Sequence, residues 1–197
     1  LLGGSYSLGP GAEMTHVSSI EFAQPHMASR KGDRQGDYGW AKCDHETGKV
    51  ETKVNDPDPT GCLKVHEDTH ERQLSSCCWR QYLCRMKALE KGDKTGVGRC
   101  WDTYIRFQQP LGKNDPHECG AVEAERSCLS KFRDACRLSE EDPNIPCPYT
   151  DTQCEAAEKH WKETKKLRRD HCKRPEVKVC EFGPNGELPP EDRKDKR

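Results

Sequence analysis

The sequence is poor in apolar residues and carries almost no net charge. Only 31% of its 197 residues are hydrophobic and 7% are aromatic, and no apolar run approaches the roughly 18 residues that a membrane-spanning helix needs. Because 33 basic residues face 34 acidic ones, the chain lacks the positive field that drives binding to nucleic acids or anionic membranes. We therefore expect neither a membrane span nor a nucleic acid partner.

The sequence also lacks any C-x-x-C pair, although it contains 13 cysteines. Zinc ribbons and thioredoxin-like redox sites use that close pairing, so its absence disfavours both. Several structural disulfides are the better explanation, and they predict an oxidising destination such as a periplasm or the cell exterior. The odd count leaves at least one cysteine without an intrachain partner. Cys77 and Cys78 are adjacent within a predicted helix, so we expect them to bridge to two different segments.

Length and composition favour one small domain braced by disulfides. Residues 1–35 are rich in Gly, Ser and Pro and are interpreted as a flexible leader or linker, in part vector-derived if His26-Met27-Ala28-Ser29 is a cloning junction. The domain is predicted over 36–182. Residues 183–197 combine prolines with a charged run and are predicted to be a disordered tail.

Hydrophobic periodicity predicts a mainly α (α+β) fold with a minor β element. Alternation over Lys49–Val54 indicates a strand, and Thr60 is placed to cap a helix from about Cys62 to Glu90, which has room to break within its length. The segment from Gly92 to Gly98 is interpreted as a loop, followed by a short extended or helical segment at 101–107. Two more helices are predicted, over about 117–138 and about 150–172.

The strongest chemical signal is an H-E-x-x-H motif, His66-Glu67-Asp68-Thr69-His70, on the first predicted helix. Residues i and i+4 lie on one helix face, so both imidazoles can reach a single Zn²⁺. Zinc lowers the pKa of bound water to about 7, and Glu67 is placed to act as general base on that water. The alternative is a solvated, charged helix face with no metal.

A catalytic zinc takes three protein ligands, so a third must come from elsewhere in the chain. Glu123, a glutamate with small neighbours on the second long helix, is the first choice. Glu125 on the same helix remains an alternative. Further along the chain, Glu158 and His160 are the reserve candidates.

The segment His66–His70 resembles the active helix of the zincin metallopeptidases, and Glu123-Ala124 is similar to the gluzincin arrangement in which a second helix supplies a glutamate. This resemblance covers roughly residues 60–130. With Cys62 before the motif and Cys77 and Cys78 after it, the chain also resembles small zincin-like toxin domains of bacterial polymorphic toxins and type VI secretion effectors. That likeness implies delivery into the periplasm of a target cell and neutralisation by a cognate immunity protein.

The sequence thus predicts a secreted zinc metallopeptidase that hydrolyses peptide bonds in a protein or peptide substrate. His66, His70 and Glu123 would bind zinc, and Glu67 would be the catalytic base. Two alternatives stay open. One is a zinc amidase acting on cell-wall peptides, and the other is a non-catalytic disulfide-rich module that binds a protein partner.

Overall fold

A computed structural model describes residues 39–54, 57–108, 114–173 and 178–190. A two-stranded hairpin precedes four helices, and the mainly α prediction with a minor β element is confirmed. The elements are β1 Gly39–Asp44, β2 Lys49–Val54, α1 Cys62–Glu90, α2 Lys94–Gln108, α3 Pro116–Glu141 and α4 Asp151–His171. The hairpin, α2 and α3 pack against α1, and α4 packs against α3.

The hairpin follows from a tight turn between its strands. β1 and β2 are antiparallel, with Asp44 opposite Lys49. The Asp44 side chain accepts hydrogen bonds from the Glu46 amide and the Thr47 hydroxyl. Gly48 has a positive φ of 71°, a conformation that glycine adopts without steric cost. The predicted strand Lys49–Val54 is thereby confirmed.

Helix α1 covers the predicted span and continues without a break over 29 residues. Its first turn begins after Gly61, where no side chain caps the helix directly. Asp58 and Thr60 instead accept hydrogen bonds from the amides of Lys64 and Cys62. The unsatisfied amides of the first turn thus find partners in the preceding loop, as helix ends require.

The interpretation of Gly92–Gly98 as a loop is wrong from Lys94 onward, because α2 begins there. The side chain of Asp93 accepts a hydrogen bond from the Gly96 amide at 2.8 Å. That cap, together with the buried face of the helix that follows, outweighs the cost of about 1 kcal/mol per glycine. Residues 101–107, left open between extended and helical, belong to the same helix.

Helices α3 and α4 begin with strong caps. Asp115 accepts a hydrogen bond from the His117 amide, and Pro116 occupies the first turn of α3, where its missing N–H costs nothing. Thr150 and Gln153 form a reciprocal capping box at the start of α4. Both predicted helices are confirmed to within a few residues.

Six disulfides brace the helices, and Cys147 is the free cysteine. Cys77 and Cys78 bridge to Cys180 and Cys43 respectively, so the prediction of two different partners is confirmed. The other pairs are Cys62–Cys128, Cys84–Cys100, Cys119–Cys172 and Cys136–Cys154.

The apolar core is divided into two clusters. One joins α1, α2 and the hairpin around Tyr104, and also takes in Phe182 and Leu188 from the C-terminal segment. The other joins α1, α3 and α4 around Leu129. Across the described ranges, no helix has the length and apolar character to cross a membrane. The predicted leader 1–35 and residues 191–197 of the predicted tail lie outside the described residues.

Candidate metal centre

Both histidines of the motif are buried. His66 is 8% exposed and His70 is 6% exposed, because the face of α1 that carries them packs against α3. Their Nε2 atoms lie 3.1 Å apart. The alternative of a solvated helix face therefore does not describe these two side chains.

The carboxylate of Glu118, near the start of α3, lies close to both imidazoles. Its Oε1 lies 3.7 Å from His66 Nε2, and its Oε2 lies 3.4 Å from His70 Nε2. Two ligands at about 2.0–2.1 Å from a tetrahedral zinc ion are about 3.3 Å apart. The three buried side chains thus already stand at nearly the spacing that a shared metal ion requires.

The far side of each imidazole ring is held by a hydrogen bond. Glu125 Oε2 accepts from His66 Nδ1 at 3.0 Å, and Gln73 Oε1 accepts from His70 Nδ1 at 3.1 Å. Gln73 in turn donates its amide to the His117 carbonyl. When each ring carries its proton on Nδ1, the two Nε2 lone pairs face each other, an arrangement that a shared cation can occupy.

The charges of the buried side chains also favour a bound cation. Glu67, Glu118 and Glu125 are each less than 9% exposed, and three carboxylates in one buried region are costly unless positive charge compensates them. Burial alone would raise the pKa of Glu118, but His70, His66 and His171 outweigh it and bring that pKa to about 2. Burial lowers the pKa of His66, yet its hydrogen bond to Glu125 and the charge of Glu118 raise it overall. A divalent cation fits this donor set.

Glu67 lies beside the site but is not one of the three converging side chains. It packs under the start of β1, where a Cβ atom on residue 39 would lie 2.5 Å from Glu67 Oε1. The glycine at that position therefore allows the strand to approach the carboxylate. Burial raises the pKa of Glu67, and the neighbouring His66 and His70 oppose that rise. Its position next to the two imidazoles suits a group that accepts and returns a proton.

The structure does not bring Glu123, the predicted third ligand, to the histidines. Its carboxylate is on the exposed side of α3 and pairs with Arg168 Nε at 2.6 Å. Five residues separate it from Glu118, which is about 140° around a helix of 3.6 residues per turn. The correct face carries Glu118 and Glu125, seven residues apart.

The other candidate ligands have separate roles. Glu125 is buried behind His66, as described above, and its Oε1 lies 3.8 Å from His160 Nδ1 on α4. Glu158 is at the surface, paired with Arg133 and Lys162. Sequence reasoning missed Glu118, although a glutamate on the same helix face as Ala121, Val122 and Leu129 is a readable signal for a buried carboxylate.

Two disulfides fix the helices that carry the site. Cys119, next to Glu118, is bonded to Cys172 at the end of α4. Cys62, one turn before His66, is bonded to Cys128, just beyond Glu125. The candidate ligands are therefore attached to helices whose spacing is limited by covalent bonds.

Compared with known proteins, the chain matches no family model, no curated protein and no solved structure.

Proposed function

We propose that this protein is a zinc-dependent peptidase in which His66, His70 and Glu118 bind the metal and Glu67 is the general base. The observation that carries the proposal is the convergence of three buried ligand groups, with the buried carboxylate of Glu67 beside them. Three protein ligands are the number typical of catalytic zinc, which keeps one position open.

The protein's own residues divide the work of hydrolysis. When bound, zinc supplies Lewis-acid polarisation of water and of a peptide carbonyl. Glu67 accepts a proton from the attacking water at its carboxylate and passes it to the leaving amine. Glu125 and Gln73 hold the two imidazoles in the tautomer that presents Nε2 to the metal.

The six disulfides support an oxidising location, and they fit an extracellular or secreted protein. We extend the proposal to a secreted effector that cuts proteins or cell-wall peptides in the periplasm of a target cell and is neutralised in the producing cell by a cognate immunity protein. The basis of that extension is the likeness to small zincin-like toxin domains, which rests on the motif together with Cys62 before it and Cys77 and Cys78 after it.

A second candidate is a non-catalytic binding module in which the same three ligands hold a structural metal ion. The burial of His66, His70 and Glu118 favours it, because structural zinc sites are closed to solvent whereas catalytic ones admit substrate. The two candidates agree on metal binding and differ on turnover.

The discriminating experiment is a substrate screen of the zinc-loaded protein against unfolded proteins and cell-wall stem peptides, with new termini detected by mass spectrometry. We expect cleavage by the wild type and a loss of at least about 100-fold in Glu67→Gln, with zinc retained. Glu71→Gln is the matched control, because Glu71 is exposed one turn later on the same helix. Equal cleavage by wild type and Glu67→Gln, or none by either, would overturn the peptidase proposal.

A further inference from the structure

The sulfur atoms of three cysteines lie close together near the loop that connects α3 to α4, away from the proposed metal ligands. Cys136 on α3 and Cys154 on α4 form a disulfide. Cys147, in the loop between the two helices, is the free cysteine. Its Sγ lies 3.8 Å from the sulfur of Cys136 and 3.7 Å from that of Cys154.

This arrangement keeps a thiol permanently next to a disulfide. The nearly equal distances place the Cys147 sulfur beside the disulfide and not on its extension, so attack requires a rotation of the Cys147 side chain. Cys147 is partly exposed, and it lies in a loop outside the helices and strands. Such a position leaves room for that rotation.

We infer that Cys136, Cys147 and Cys154 form a thiol–disulfide exchange site in which one disulfide moves among three cysteines. In the exchange, Cys147 loses its proton to solvent and its thiolate attacks one disulfide sulfur. A new sulfur–sulfur bond forms as the old one breaks, and the displaced cysteine leaves as a thiolate and takes up a proton. One disulfide and one thiol are present before and after, so no external oxidant or reductant is needed.

The helix positions favour one direction of exchange. Cys154 is in the first turns of α4, where the helix dipole stabilises a negative charge, whereas Cys136 is near the end of α3, where the dipole opposes one. The thiol that forms the more stable thiolate is the better leaving group. Cys147 is therefore expected to attack the sulfur of Cys136, which gives a Cys136–Cys147 bond and frees Cys154.

The consequence for the fold is local. Exchange removes the covalent link between α3 and α4 at this end, while Cys119–Cys172 still joins the two helices at the other. Glu125 is eleven residues from Cys136 along α3, about 16 Å at 1.5 Å per residue. The exchange site is thus separate from the metal centre, and its test does not depend on the proposed peptidase activity.

The test uses the wild-type protein. It is held at pH 8 for several hours, quenched with acid, unfolded and labelled with N-ethylmaleimide at pH 6. Digestion after Arg137 and before Asp151 places the three cysteines on different peptides. We expect label on Cys154 as well as Cys147, above about a tenth of the total, together with a Cys136–Cys147 linked peptide. Label confined to Cys147, with only Cys136–Cys154 found, would overturn the inference.

A variant gives a second readout. Cys154→Ser removes the original partner. When this variant is refolded in a glutathione redox buffer, in which oxidised glutathione is the oxidant, we expect Cys136 and Cys147 to pair, leaving no titratable thiol in the unfolded protein. Two free thiols per chain would contradict the inference. Cys147→Ser is the matched control, since it keeps the Cys136–Cys154 bond and should take no label under any of these conditions.

Discussion

The substitution Glu125→Gln tests how the proposed metal ligands are oriented. Glu125 is 1% exposed and lies on the Nδ1 side of the His66 ring. Its Oε2 accepts the Nδ1 proton of His66 at 3.0 Å. Glutamine has almost the same shape but no charge, so the substitution changes the electrostatics behind His66 while preserving the packing.

The expected effect is on zinc affinity. Loss of a carboxylate that orients a metal-ligating histidine weakens binding by about 10–100-fold, or about 1.4–2.7 kcal/mol. The dissociation constant is measured at pH 7.4 by competition with a chromophoric chelator. Circular dichroism and a thiol count verify that the variant keeps its helices and disulfides.

Glu123→Gln is the matched control, two residues earlier on the same helix. Glu123 is paired with Arg168 at the surface, and an exposed ion pair contributes little. We expect its zinc affinity to stay within about twofold of the wild type, since it lies outside the site. If Glu125→Gln also stayed within that range, the proposed role of Glu125 behind His66 would be refuted.

Three further predictions concern stability. Leu129 is fully buried, so Leu129→Ala should cost about 2–5 kcal/mol in urea unfolding, and a cost below about 1 kcal/mol would contradict its place in the core. Burial, aided by Lys178, lowers the pKa of His117 to about 4. The stability that the neutral imidazole contributes is therefore present above its ordinary pKa of 6.5 and is lost as pH falls towards 4. His117→Gln should make the urea-derived unfolding free energy less dependent on pH over that range, and an unchanged pH dependence would refute the assignment. Replacing Cys62 and Cys128 by alanine removes a disulfide between residues 66 positions apart. This should lower the unfolding free energy by about 4 kcal/mol and weaken zinc binding. Unchanged zinc affinity would show that this disulfide does not support the site.

The parts of the fold that depend on local sequence could be predicted. The first helix can be predicted because no Pro or Gly interrupts residues 62–90. The start of α4 can be predicted because Thr150 followed three residues later by Gln153 is the pattern of a capping box. The i, i+4 spacing of His66 and His70 places them on one face whatever the helix packs against. Within Gly92–Gly98 the glycines favour a loop, and the only opposing signal there is the cap residue Asp93.

The third proposed ligand, Glu118, could not be derived from neighbouring residues, because it depends on which face of α3 turns towards α1. The small neighbours of Glu123, which favour it as a ligand, are a local property. Glu118 and Glu125 are instead seven residues apart on the face that carries Ala121 and Val122. Helix phase, and not the composition around each glutamate, decides which carboxylates are buried.

Metal content measured by inductively coupled plasma mass spectrometry tests the central claim most directly. The account predicts close to one zinc per chain in the purified wild type, and none in either Glu118→Gln or the His66→Ala, His70→Ala double variant. Glu123→Gln should keep its zinc. A wild type that holds no zinc even after reloading, or a Glu118→Gln variant that holds it as tightly as the wild type, would contradict the proposed metal centre.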